Sequence, residues 1–360
     1  MEPRKENQNI KSKNLIISKI MIKAKKLYFY LLLTILLHGC LFFYKYYQTA
    51  NIQQDNYVGY AKAFKTESFI SNISEDDSRL FPGLPLLIYI FNFLTGSENT
   101  AGLFLSFLSL LTIFLFSVHF TKNTFYAFWI TVFPPIIFEQ TSKISTEAIT
   151  IALFIISYYL IINKKYRFSA LLLGFASIVR LISISMFIGL LILLFRRKKY
   201  ILLVQSSVFY MLFPLFMLVF NFFHWGWGGI FRQITMNQIV GRGTLTPVQL
   251  INDILRTISW KQPQILISGM VNIILFFSVF YSCIRYKNDF LNSGDQLLVK
   301  VWAILSLILV FSIGPTPFLE EASRYLIVIT TPLLLFMFQR LLKHKRLLIG
   351  SLILSIFAFI

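Results

Sequence analysis

Apolar runs separated by short polar turns recur along nearly the whole chain. They lie near 28–47, 82–95, 101–120, 124–139, 145–162, 167–182, 183–195, 200–223, 264–284, 298–315, 325–342 and 347–360. Runs of ~20 apolar residues are long enough to cross ~30 Å of hydrocarbon as helices. A barrel would need strands of alternating polarity, and that alternation is absent. The pattern therefore predicts an all-α fold, a polytopic bundle of transmembrane helices.

Twelve runs do not thread consistently when basic clusters are kept on one side. Those clusters are the tail to Lys26, Lys164 to Arg167, Arg196 to Lys199, Arg285 to Lys287 and Lys343 to Arg346, the positive-inside pattern. With the tail inside, 45–80 is outside, in keeping with Glu67, Glu75, Asp76 and Asp77. The run 82–95 then cannot cross; it is short and opens Pro82-Gly83-Leu84-Pro85, which suits an interfacial or re-entrant helix. About 11 crossings remain, with that helix in the first external loop. The pair 167–182 and 183–195 is short for two crossings and puts Arg180 near the outer turn, where an arginine costs less than at mid-bilayer.

The chain divides into a basic cytoplasmic tail (1–27), a membrane module at 28–195 with external loop 48–100, and a C-terminal module at 196–360 with external loop 224–263. The second loop opens His224-Trp225-Gly226-Trp227. It continues through Thr246-Pro247, a helix-start signal, to Ile251, Ile254, Leu255 and Ile258 at helical spacing. It reads as a lid with an amphipathic helix.

Composition agrees: 56% hydrophobic, 14% charged and a mean hydropathy of +0.70. The net charge of +19 is not a nucleic-acid signal, because the cations sit between apolar runs, where anionic headgroups match them. Cys40 and Cys283 both fall inside apolar runs, which argues against a disulfide. The first run follows a long basic tail without a small-residue cleavage site and reads as an uncleaved anchor.

The short polar segments hold the candidate chemistry. Asp55, Tyr57, Tyr60 and Ala61 follow the first run, and Arg79-Leu80-Phe81-Pro82-Gly83-Leu84-Pro85-Leu86 comes next. Then come Pro134-Pro135, the Ser/Thr-rich Thr141 to Thr146 with Glu147, the stretch Gly174 to Arg180, and Arg324-Tyr325 ahead of Pro332. In this order the residues resemble the GT-C superfamily of polytopic glycosyltransferases, in its mannosyltransferase and Rgt-like branches. The likeness covers about 28–195 and 315–335. It implies transfer of a sugar, mannose being one candidate, from a polyprenyl-phosphate carrier to an acceptor hydroxyl, with inversion. The acceptor would be a lipid-linked glycan, a glycolipid or a protein. The site would face the extracytoplasmic side of a bacterial cytoplasmic membrane. A divalent cation, Mg or Mn, is a possible cofactor in such enzymes. Here the first acid is single rather than paired and the second-loop acid is Glu rather than Asp, so the metal requirement stays open.

Each candidate has a plainer alternative. Asp55 is a candidate base near a developing oxyanion, or a solvated loop aspartate. Glu147 positions the acceptor or holds a metal, or simply complements a helix N-terminus. Arg79, Arg180 and Arg324 are candidate phosphate clamps; snorkelling explains Arg324 otherwise, and Arg180 has Glu147 as an alternative partner. Tyr57, Tyr60, His224, Trp225 and Tyr325 are candidate sugar contacts, or an interfacial aromatic belt. Two rivals remain: an O-antigen-type polymerase or ligase, which would lean on later-loop arginines and a histidine, and a lipid-linked sugar flippase, which would want acids at the midplane.

Overall fold

The computed structural model describes residues 3–48, 56–65, 80–133, 135–233, 271, 273–281, 285, 293–313, 324–335, 346 and 348–351. In chain order the helices are α1 (Pro3–Gln48), α2 (Asn56–Ala63), α3 (Gly83–Thr95), α4 (Glu98–Thr121), α5 (Thr124–Val132), α6 (Pro135–Thr141), α7 (Thr146–Ile162), α8 (Tyr166–Val179), α9 (Ile184–Arg196), α10 (Tyr200–Trp225), α11 (Ser293–Ile313) and α12 (Arg324–Leu335). No strand occurs among the described residues. The chain is all-α, as its pattern predicts. Three stretches among the described residues are long and apolar enough to cross a membrane: Met21–Phe43 within α1, α4 and α10.

The tail expected ahead of the first run is itself helical and continuous with it. From Arg4 to Lys26 it holds neither Gly nor Pro, and Pro3 stands at the first helical position, where its missing N–H costs nothing. The run 124–139 is not one helix. Asn123 caps α5, its side chain accepting the Tyr126 N–H at 2.9 Å. Phe133 is then extended, and α6 starts at Pro135. Proline both lacks the donor and disfavours a helical predecessor. Residues Tyr126 to Val132 of α5 are all buried, as expected of a helix apolar on every side.

Helix α8 lies against α10, α7 against both α4 and α8, and α9 against α11. Gly174 explains the closeness of α8 and α10. A Cβ there would stand 2.2 Å from the Tyr210 carbonyl oxygen, so only glycine permits the crossing. Phe187 of α9 stacks on Tyr210 at 3.7 Å between centroids, and Ser185 bonds Ser306 of α11 at 2.7 Å. The Tyr126 hydroxyl donates to the Leu334 carbonyl at 2.8 Å, tying α12 to α5.

These helices give the bundle two unlike ends. Ser106, near the start of α4, donates to the Lys143 carbonyl just before α7, at 2.7 Å. His119, near the end of α4, meets the Tyr159 ring near the end of α7 at 5.3 Å. So the α7 N-terminus and the α8–α9 junction share one end. The α4–α5, α7–α8 and α9–α10 turns share the other. All the acidic side chains described, Glu98, Glu139 and Glu147, belong to the first end. Lys122, Lys164, Lys165, Arg167, Arg196, Arg197, Lys198 and Lys199 belong to the second.

Candidate functional site

The turn between α6 and α7 is built by hydroxyls. Ser145 takes an extended conformation and caps α7, accepting the Ala148 N–H at 3.3 Å while donating to the Gln140 carbonyl at 2.8 Å. Ser142 donates back to the Phe138 carbonyl at 2.8 Å. This places Glu147 in the first turn of α7, where the helix dipole favours a negative charge. Its side chain is fully buried.

Helix α8 ends where Arg180 turns extended (φ −149°, ψ 125°), and a short 3-10 turn, Leu181–Ser183, leads into α9. The break therefore falls at the arginine, as the sequence predicts. Gly83 explains how α3 reaches this point: a Cβ there would meet the Ile178 carbonyl oxygen and Val179 Cγ2, each at 2.7 Å. The Pro-Gly-x-Pro turn thus brings the α3 N-terminus against the backbone just before Arg180.

Arg180 and Arg324 share one carboxylate oxygen. Arg180 Nη2 lies 3.1 Å from Glu147 Oε1, and Arg324 Nε lies 2.8 Å from the same atom. Arg180 Nη1 also donates to the Arg324 carbonyl at 3.2 Å, and its guanidinium sits 4.2 Å above the Tyr325 ring. Thr146 Oγ1 donates to Glu147 Oε2 at 3.2 Å. The side chain of Arg180 is 9% exposed and that of Arg324 27%, so the cluster opens toward Arg324. Two guanidinium groups on one carboxylate oxygen repel each other. Glu147 offsets that repulsion and fixes their separation.

Tyr57 joins from α2. Its hydroxyl bonds Thr146, and its phenol is pushed up to about 12, first by burial and then by the Glu147 charge; Arg180 and Arg324 pull the other way. It is therefore a neutral hydroxyl at any physiological pH. Its body packs against the buried cluster that includes Val58, Leu84, Ile88 and Val179.

The candidates separate into two groups. Tyr57, Glu147, Arg180, Arg324 and Tyr325 converge, from four separate segments. Tyr60, His224 and Trp225 form a second, aromatic group. Tyr60 stacks on Phe64 at 5.6 Å, Phe64 meets Phe220 at 5.9 Å, and His224 lies 4.4 Å from Phe220. Trp225 packs there as well. Helix α2 carries a member of each group. Asp55 and Arg79 lie outside the described residues, as does the 234–263 part of the second external loop with its helix-start signal. Thr146, which links Tyr57 to Glu147, is the member that sequence reasoning took only as part of a cap. Its signal is its place beside the acid.

The reading of Glu147 as a metal ligand does not fit this geometry. Its carboxylate already receives two guanidinium groups and a hydroxyl. Among the described residues no group of three or more His, Cys, Asp or Glu side chains converges. No family model matches the chain, and no curated protein matches it either.

Proposed function

We propose that this protein is an integral membrane glycosyltransferase of GT-C type. It moves a sugar, mannose being one candidate, from a polyprenyl-phosphate carrier to an acceptor hydroxyl on the outer face. The observation that carries this reading is the convergence of Tyr57, Glu147, Arg180, Arg324 and Tyr325. Each was singled out by order along the chain, and a core of apolar helices has no need to gather them. The charge asymmetry of the two ends supports the matching orientation, with the basic turns inside. About 11 crossings belong to the proposal, with α3 interfacial.

Helices α8 and α9, of 14 and 13 residues, rise only about 20 Å each against ~30 Å of hydrocarbon. Their junction at Arg180 is then recessed from the outer surface. A recessed cation needs a fixed counter-charge, which Glu147 supplies. A lipid-borne phosphate reaches this depth without leaving the bilayer.

In the proposed reaction the acceptor oxygen attacks the anomeric carbon as the bond from that carbon to the carrier phosphate breaks. The polyprenyl phosphate leaves with one more negative charge, taken up by Arg324 and Arg180. The acceptor proton goes to Asp55, two positions before Tyr57 in the chain. Glu147 is a positioning residue that holds both guanidinium groups. Tyr57 and the His224–Trp225 group flank the sugar.

The test uses the full chain in proteoliposomes with a panel of radiolabelled polyprenyl-phosphate sugars. Loss of label from one carrier by wild type, and not by Asp55→Asn, is the expected result. The arginine-rich character of the cluster also suits the polymerase or ligase reading. Turnover only of a polyprenyl-diphosphate oligosaccharide, untouched by Asp55→Asn, would establish that reading instead.

A further inference from the structure

The C-terminal end of α10 is held by a buried amide pair that helix formation does not require. The helix is already capped: Gly226, at a positive φ of 65°, donates its N–H to the Phe222 carbonyl at 2.9 Å. The chain then folds back on the helix through the 3-10 turn Trp227–Gly229. A Cβ on Gly229 would stand 2.1 Å from Trp225 Cβ, so the returning chain lies directly on Trp225. Asn221, one turn before Trp225, donates through Nδ2 to the Ile230 carbonyl at 2.8 Å and to Gln233 Oε1 at 2.6 Å. Gln233 Nε2 donates back to Asn221 Oδ1 at 3.0 Å. Both amides are buried, at 0% and 1% exposure.

Two apolar side chains would fill this space without needing partners. A reciprocal amide pair adds direction, because its donors and acceptors match in a fixed orientation. What it fixes is the last turn of α10. His224 and Trp225 of that turn pack with Phe220, which meets Phe64 of the Tyr60 group. On α2, Tyr60 stands one turn from Tyr57 of the charged cluster, so the two groups are neighbours. A ligand with its phosphate at Arg324 and Arg180 presents the adjoining sugar ring toward His224 and Trp225, both part-exposed. We propose that Asn221 and Gln233 are positioning residues for sugar binding. Through each other and the Gly229 turn they set the orientation of the His224–Trp225 group, against which the sugar of the lipid-borne donor lies. This rests on the glycosyltransferase reading.

The test uses the full chain in proteoliposomes with the radiolabelled polyprenyl-phosphate sugars. It compares Asn221→Leu, Gln233→Met and the double variant with wild type. Each single change leaves one buried amide unpaired and is expected to lower the unfolding midpoint by about 2–6 °C. The double variant removes both amides and is expected to regain part of that loss. Stability and positioning then separate. The double variant is expected to raise KM for the donor at least about fivefold with kcat within about twofold of wild type, the pattern of a contact made equally in ground and transition states. In a Trp225→Leu background the same double change is expected to add less than about twofold to KM, because the group it acts through is gone. Should the double variant not fold, Gln233→Met alone keeps the Asn221–Ile230 bond and is expected to raise KM about twofold. Unchanged KM in a folded variant would overturn this proposal and leave the transferase reading standing, as would a full further rise of KM in the Trp225→Leu background. Absence of turnover by wild type with every donor would overturn the transferase reading and this proposal with it.

Discussion

The two ends of this bundle use the same residue types under opposite conditions. At one end, Arg180 and Arg324 are drawn into the protein and share a carboxylate that has no contact with water. At the other, Arg197 and Lys199 gather on a buried tyrosine. The contrast is between cations drawn inside the protein and cations held close to its surface. A buried cation must bring its counter-charge with it, because desolvation is too costly otherwise. A surface cation is screened by salt or by anionic headgroups. The first arrangement is brittle and geometrically exact; the second is tolerant.

The sharpest way to break that contrast is Glu147→Gln. It leaves two guanidinium groups facing each other with no carboxylate between them. A loss of about 3–5 kcal/mol is expected, together with loss of transfer. Thermal unfolding in detergent, read beside the transfer assay, checks both. Wild-type stability in the variant would show that the cluster contributes no net electrostatic stabilisation.

Next in size is Gly174→Ala, which drives a methyl into the Tyr210 carbonyl at 2.2 Å. Overpacking of this kind costs about 1–3 kcal/mol, and it should weaken the contact of α8 with α10 without touching any charge. Its unfolding midpoint should fall while donor specificity is unchanged. Equal loss of both would mean that the α8–α10 crossing sets the site directly.

Tyr57 gives a pH-dependent test. Its folded pKa, about 12, is raised above the ordinary 10. The folded chain therefore keeps a proton that the unfolded chain gives up. The stabilisation is complete below pH 10 and lost as pH rises toward 12, at most about 2 kcal/mol for a half-buried phenol. Tyr57→Phe should make the alkaline limb of the stability profile shallower, since Tyr60 is raised by burial as well. An identical limb in the variant would show that Tyr57 contributes nothing to it.

The smallest effect is expected at the basic end. Lys122, Lys164 and Lys198 all stand in the left-handed region, at φ 53°, 59° and 55°. Glycine accepts that conformation without the side-chain clash. Lys164→Gly should therefore change stability by no more than about 1 kcal/mol, in the stabilising direction. Marked destabilisation would mean that Lys164 has a structural partner and that the tolerant end is not tolerant.

Much of the architecture was legible in the chain. Long apolar runs predict helices because the 3.6-residue repeat satisfies every backbone group without water. The place of Arg180 at a turn followed from two short runs flanked by cations. The break inside 124–139 was less legible, since hydropathy does not register a proline pair. The helicity of the basic tail went unread: its charges spoke to sidedness, while the helix follows from a backbone without a breaker. The candidate residues were legible as a list, because polar groups in so apolar a chain are few.

By itself, the sequence determined the helical class, the segregation of charge to two ends and the candidates for chemistry. All of these follow from local preference and from the cost of moving charge out of water. Only the tertiary structure decided which candidates meet. Nothing in the chain says that Glu147 takes Arg180 and Arg324 on one oxygen, that Thr146 links it to Tyr57, or that Tyr60 belongs to a different group. Those pairings join residues up to 177 positions apart. They are set by how closely helices approach, at Gly83 and Gly174 above all, and a contact distance between helices is a property of their packing rather than of any one segment.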